Sequence, residues 1–270
     1  MDTHQNPTIL LTNDDGIESP GLWAAAAALA HLGEVIVAAP NGQSSGAGRS
    51  LPASSDGTIT PRQVALNGTT WTAYGIGGSP AQAVLHGLLE IAVRRPALVV
   101  SGINYGENVG SGITSSGTVG AALEAAGQGI PALAVSLETD PEHHRSYATT
   151  VDFATAAHFA VLFARMLLEH RLPLGVDVLK VDVPAAATPE TGWALTRLSR
   201  QNYYDPIRPE RTAWEQSRPV GYQRSADPRT DPPDTDIYTL RVKKWVSVTP
   251  ITLDMTARVD FRMLEQLLSA

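Results

Sequence analysis

Short runs that are apolar almost from end to end recur along this chain, each followed by a segment that reads as a helix. They are residues 8–12 (Thr-Ile-Leu-Leu-Thr), 34–38 (Glu-Val-Ile-Val-Ala), 97–101 (Ala-Leu-Val-Val-Ser), 132–136 (Ala-Leu-Ala-Val-Ser) and 178–183. A strand with one wet face alternates polar and apolar residues, so unbroken apolarity means burial on both faces. Helix signals stand between the runs. Ser19-Pro20 opens an Ala-rich stretch that reaches His31 and ends at Gly33, with a capping residue followed by Pro at the first helical position. Ser79-Pro80 repeats the signal for a helix towards Val93, residues 118–126 read as another, and residues 147–170 as a long amphipathic one. Strand and helix in alternation predict an α/β fold with a mostly parallel sheet covered on both faces. Ligands in such folds bind at the carboxyl ends of the strands. Here that means the loops at residues 13–19, 40–50, 102–117 and 137–146.

The last third differs. Residues 205–234 are rich in Pro and charge and have no period, residues 237–248 look like strand, and residues 259–268 like a final helix. The expected organisation is a catalytic domain over residues 1–190 and an extension over 191–270, made of an arm or hairpin and a terminal helix. No internal repeat is visible.

Composition narrows the function. Among 270 residues there is no Cys, which removes disulfides, thiolate catalysis and Cys-based metal sites. A formal charge of −7 argues against a nucleic-acid partner, and the basic clusters Arg94-Arg95 and 241–244 are short. No apolar run reaches the roughly 18 residues of a membrane span. The leading segment, residues 1–7, is polar rather than signal-like, and a cytoplasmic enzyme is expected.

Three of the four loops carry unusual chemistry. The first is Asn13-Asp14-Asp15-Gly16, which places two adjacent carboxylates at a strand end. Like charges in a desolvated turn repel, and a divalent cation relieves them. The tetrapeptide is also good turn sequence, and it lacks the spaced acidic ligands of an EF-hand. The second loop, residues 40–50, is rich in Gly and Ser, but its spacing and Arg49 exclude a Walker-type phosphate loop. The third runs from Gly102-Ile103-Asn104 past Asn108 to Ser116-Gly117-Thr118, where free N–H groups, a helix start and hydroxyls form an anion cradle. Ser116 also reads as a helix cap. Gly75-Ile76-Gly77-Gly78 is no dinucleotide fingerprint, because Pro80 takes the third glycine's place. His143-His144 reads as a solvated pair, and His31, His86, His158 and His170 as packing or surface residues.

Taken in order, Asn-Asp-Asp-Gly after the first strand, Ser45-Gly46 after the second, Ser101-Gly-Ile-Asn104 after a later one and Ser116-Gly-Thr118 at a helix start closely resemble the stationary-phase survival protein family (SurE). The resemblance covers residues 8–184, including Pro131 to Ser136, and returns at residues 246–250 and 254–256. It implies a Rossmann-like sheet with a C-terminal arm and helix exchanged within a homodimer or homotetramer. It implies hydrolysis of nucleoside monophosphates, as a 5'-nucleotidase, with the 3' phosphate and polyphosphate left open as substrates. One divalent ion per subunit, Mg²⁺ or Mn²⁺, would be held by Asp14, Asp15, Ser45 and Asn104. Asn108, Ser116, Gly117 and Thr118 would hold the phosphate, with Asn13 supporting the turn and counted among the substrate residues. Asp14, Asp15 and Asn108 form the catalytic set, and either carboxylate could act as base or nucleophile. Four positions depart from the family pattern: Glu18, Gln82, Asp182 and Lys244. The alternatives are a metal-dependent nucleotide-sugar transferase and a non-catalytic nucleotide-binding module.

Overall fold

The computed structural model describes residues 6–144, 146–224 and 227–269, so the first five residues of the polar leading segment lie outside the described residues. All of β1 (Thr8–Thr12) is buried, with Ile9 and Leu11 in one core cluster and Leu10 in the other. The same division runs through β2 (Glu34–Pro40), where Val37 and Ala39 face one side and Ala38 the other. Two-sided burial therefore follows from continuous apolarity, as expected.

Further strands are β3 (Ile59–Leu66), β4 (Thr69–Ile76), β5 (Leu98–Tyr105), β6 (Ala132–Leu137), β7 (Val178–Val183) and β8 (Trp193–Leu195). Two short strands, β9 (Tyr204–Ile207) and β10 (Gly221–Arg224), pair antiparallel in a separate ribbon, and β11 (Val246–Ile251) returns to the main sheet. The main sheet has nine strands in the order β3-β4-β2-β1-β5-β6-β7-β11-β8. From β4 to β7 every pairing is parallel. Helices α1 (Pro20–Leu29) and α4 (Ala154–Glu169) pack together on one face; α2 (Pro80–His86) and α3 (Gly117–Gly127) pack on the other. Because β2 and β5 leave β1 in opposite directions, the winding reverses between β1 and β5, and a crevice opens beyond their carboxyl ends. No helix among the described residues is long and apolar enough to cross a membrane.

Three local differences from the sequence reading have physical causes. Helix α4 begins at Ala154, not at 147, because Tyr147 stands at φ 46°, which a helix cannot use, and the Asp152 side chain accepts the Ala154 N–H at 2.8 Å. The hairpin of β3 and β4 was not expected. Its turn is Asn67-Gly68, with φ values of 51° and 77°, the left-handed pair that a two-residue hairpin loop requires. Residues 237–248 are not one strand. Ile237 and Leu240 both bury against Val109 and Tyr203, a spacing of three that only a helical turn supplies. Hence α5 (Asp236–Tyr238) and a following helical turn to Lys243 precede β11.

Strands β8 and β11 lie beyond residue 190 yet belong to the main sheet, and a buried ionic group reinforces that union. Lys180 on β7 contacts the carboxylate of Asp182 and, at 3.3 Å, that of Asp236, with all three side chains fully buried. Asp182 accepts the Asn108 N–H at 2.7 Å and Asp236 the Gly110 N–H at 3.0 Å. Burial pushes the Asp182 carboxyl up to about 6 against the pull of Lys180. Removing the cation strands two buried acids, and broken buried pairs cost about 3–5 kcal/mol. Lys180→Met is expected to lose stability on that order, read as a lowered midpoint in urea denaturation with the same slope.

Candidate active site

The turn that follows β1 is built by Asn13, whose amide group donates to the Gly16 carbonyl at 3.1 Å and accepts the Gly16 N–H at 3.0 Å. Gly16 takes φ 99°, and a Cβ there would lie 2.9 Å from the backbone of Gly42. This closed turn aims the two carboxylates in different directions. Asp15 accepts Gln43 Nε2 on one oxygen and the Tyr105 N–H on the other, each at 3.1 Å. Asp14 accepts the Thr118 hydroxyl at 2.5 Å, at the first turn of α3. Gly117 is obligatory beside it: a Cβ would stand 2.6 Å from the Asp14 Cβ.

Backbone hydrogen bonds bring the other loops to this turn. The Ser44 N–H donates to the Asp14 carbonyl at 2.7 Å, and the Gly48 N–H to the Ser115 carbonyl at 3.0 Å. Ser45 thereby stands exposed at the rim of the crevice. Asn104 is the last residue but one of β5, which runs four residues beyond its expected end through an irregularity between Ser101 and Asn104. Its amide nitrogen donates to the carbonyls of Tyr105 and Gly106, at 3.3 and 2.7 Å, so its oxygen is turned away from them. Asn108 donates its side-chain nitrogen to Ser136 at 2.9 Å, and Ser116 caps α3 by accepting the Val119 N–H at 3.1 Å.

One cavity of about 390 Å³ is lined by Asp14, Ser45, Asn104, Asn108 and Ser116. Asn13, Asp15, Gly117 and Thr118 lie behind this wall, holding it rather than lining it. Burial raises the carboxyls of both acids. For Asp15 it does so to about 8, with the charge of Asp14 pushing the same way and the bonds from Tyr105 and Gln43 opposing. For Asp14 the bonds from Thr118 and the α3 amides oppose the rise. A buried acidic pair flanked by a hydroxyl and an amide oxygen is a hard oxygen donor set, which suits Mg²⁺ or Mn²⁺. A separate group, Asp140, Glu142 and His143, also has ligand atoms within 4.8 Å of one another, but its two acids are exposed on the surface, whereas Asp14 and Asp15 are buried.

The same cavity holds residues that sequence reasoning passed over: Glu107, His144, Tyr204 and Tyr222. His144 is not solvated; it is buried, bonds the Tyr222 hydroxyl at 2.9 Å, and burial lowers its pKa. Tyr204 and Tyr222 come from β9 and β10 in an aperiodic stretch, so no sequence pattern marked them. The four departures from the family pattern are all accommodated. Glu18, itself exposed, pairs with half-buried Arg62, Gln82 completes a capping box with Ser79, Asp182 joins the Lys180 group, and Lys244 takes φ 55° at the end of its helical turn.

Comparison with known proteins gives a consistent result. Residues 9–205 match the family model described as survival protein SurE. A relative named 5'-nucleotidase SurE from Thermococcus gammatolerans is 45% identical, over 96% of this chain and 95% of its own length. The protein of the same name from Thermococcus kodakarensis is 43% identical over 97% and 98%. The crystal structure of the SurE protein from Aquifex aeolicus superposes with a TM-score of 0.72 at 29% identity, covering 98% of this chain and all of that one.

The acidic pair makes metal-free stability depend on pH. Asp15 has an unfolded value near 3.8 and a folded one of about 8, so the folded chain holds a proton that the unfolded chain releases. Stability from this group therefore falls as pH rises between those values. In EDTA the melting temperature is expected to drop between about pH 6 and pH 8, and Mn²⁺ to restore more at the higher pH, since ligands must be deprotonated. Asp15→Asn should flatten that difference in a thermal melt.

Proposed function

The chain belongs to the SurE family, and from that premise we propose that it is a metal-dependent 5'-nucleotidase that converts nucleoside monophosphates to nucleoside and phosphate. The observation that carries the proposal is the desolvated pair Asp14 and Asp15 at the reversal of the sheet, beside the start of α3. A pure phosphate binder gains nothing from adjacent negative charges, whereas a divalent ion makes them useful. We assign Asp14, Asp15, Ser45 and Asn104 as its ligands. When bound, the ion supplies Lewis-acid polarisation of phosphoryl oxygens and a water of lowered pKa.

The remaining roles fall to the chain's own side chains. Asn108, oriented by Ser136, and the Ser116 hydroxyl, fixed at the helix cap, are assigned to the phosphoryl oxygens, where the positive end of α3 also favours negative charge. Gly117 admits the close approach of Asp14, and Thr118 sets its rotamer. Asn13 keeps the turn closed. Of the two acids, Asp14 lines the cavity and is assigned to the attacking water, while one Asp15 oxygen ties the turn to β5 through the Tyr105 N–H and the other accepts Gln43 from the loop after β2. No observation favours sugar transfer or binding without hydrolysis. A homo-oligomer is part of the same proposal, supported by α6 (Phe261–Leu268), which leaves Phe261, Leu264, Leu267 and Leu268 exposed.

Phosphate release from AMP is expected with Mn²⁺ or Mg²⁺ and is expected to vanish in EDTA. Asp14→Asn should lower metal-dependent turnover at least about a hundredfold while its melt in EDTA stays cooperative, since loss of even an outer partner of a metal ligand costs 10–100-fold. Near-full activity in that variant would refute the ligand assignment.

A further inference from the structure

The cavity extends past the phosphate-holding residues to a group of rings. Tyr204 on β9 and Tyr222 on β10 lie 5.2 Å apart at 69°, and His144 stacks on Tyr222 at 6.0 Å and 24°. All three line the space that Asp14, Asn108 and Ser116 also line. Its volume of about 390 Å³ lies within the 300–1,000 Å³ typical of small-molecule sites, larger than a phosphate alone needs.

The rings are held by a built dock rather than by chance packing of an arm. Fully buried Glu107, next to Asn108, accepts the Tyr203 hydroxyl at 2.6 Å and Arg224 Nε at 3.0 Å. Tyr203 immediately precedes β9 and Arg224 ends β10, so one carboxylate grips both strands of the ribbon. Arg224 also donates to the Thr139 carbonyl.

We propose that the β9–β10 ribbon is the nucleobase subsite, with Tyr222 stacking the planar base of the substrate and Tyr204, at 69° to that ring, flanking it edge-on, while the Asp14–Ser116 end holds its phosphate. This rests on the hydrolysis proposed above and assigns the recognition of an aromatic base to the arm. Stacking is tolerant of base identity because every base offers a π face, so the subsite is expected to distinguish nucleotides from baseless phosphates rather than one base from another.

The test compares AMP with ribose 5-phosphate, which keeps sugar and phosphate but has no base, on the full-length protein with Mn²⁺. In the unsubstituted protein the KM for AMP is expected to be at least about tenfold lower than for ribose 5-phosphate, the scale of one stacked base. Tyr222→Leu should bring that ratio close to one, and Tyr222→Phe, which keeps the ring, should preserve it. Calorimetry of adenosine against ribose gives a readout free of turnover and of any variant's folding: adenosine is expected to bind the unsubstituted protein and ribose not. Equal KM values for the two esters, a ratio that survives Tyr222→Leu, or adenosine binding no better than ribose would overturn the subsite. If neither ester is cleaved but adenosine binds through Tyr222, the hydrolysis proposal fails and the subsite stands.

Discussion

Two neighbouring acids in a desolvated turn are the constraint around which this molecule is organised. Left alone, their repulsion and loss of hydration would open the turn or keep it protonated. The structure counters this with the closed Asn13–Gly16 turn, the Gln43 and Tyr105 donors on Asp15, and the Thr118 hydroxyl on Asp14. Each donor comes from a different part of the chain: the loop after β2, the end of β5 and the first turn of α3. Whatever holds the carboxylates together thereby assembles the crevice at the reversal of the sheet.

A second set of buried charges does similar work one strand further along. Asn108 and Gly110, in the loop after β5, donate their N–H groups to Asp182 and Asp236, which share Lys180. Glu107 of the same loop grips the arm. Four consecutive residues thus join the phosphate end of the cavity to the sheet, to the C-terminal segment and to the aromatic ribbon. This clarifies how a segment of ordinary Pro-rich composition is held in a defined place: its apolar content is small, but its polar anchors are buried.

The layers of the fold were legible in the sequence because continuous apolar runs have few alternatives. Residues 8–12, 34–38 and 132–136 could bury both faces only in a parallel sheet, and Ser19-Pro20 and Ser79-Pro80 opened helices where expected. The acidic turn and the Ser-Gly-Thr helix start were visible as local chemistry. Less legible was whatever depends on partners far along the chain. Helix α4 starts late because Tyr147 is committed to the Asp15 carbonyl, and residues 237–243 coil because Ile237 and Leu240 share one hydrophobic cluster. His144 looked solvated because nothing nearby in sequence covers it; Tyr222, 78 residues away, does. The hairpin of β3 and β4 is a different case, since Asn67-Gly68 carried the turn signal in plain view, with polar flanks that obscured it.

The place of β11 in the sheet has a consequence for how the chain must come together. It is the last strand in sequence, yet it lies between β7 and β8 and supplies the neighbour that β8 pairs with. On a ribosome, β7 therefore emerges as a bare edge, and β8 waits with no strand to join, until some fifty more residues have been made. An open edge of that kind invites pairing with another chain. The sheet is finished by its tail, so a nascent chain cut short before residue 246 would be left both incomplete and adhesive.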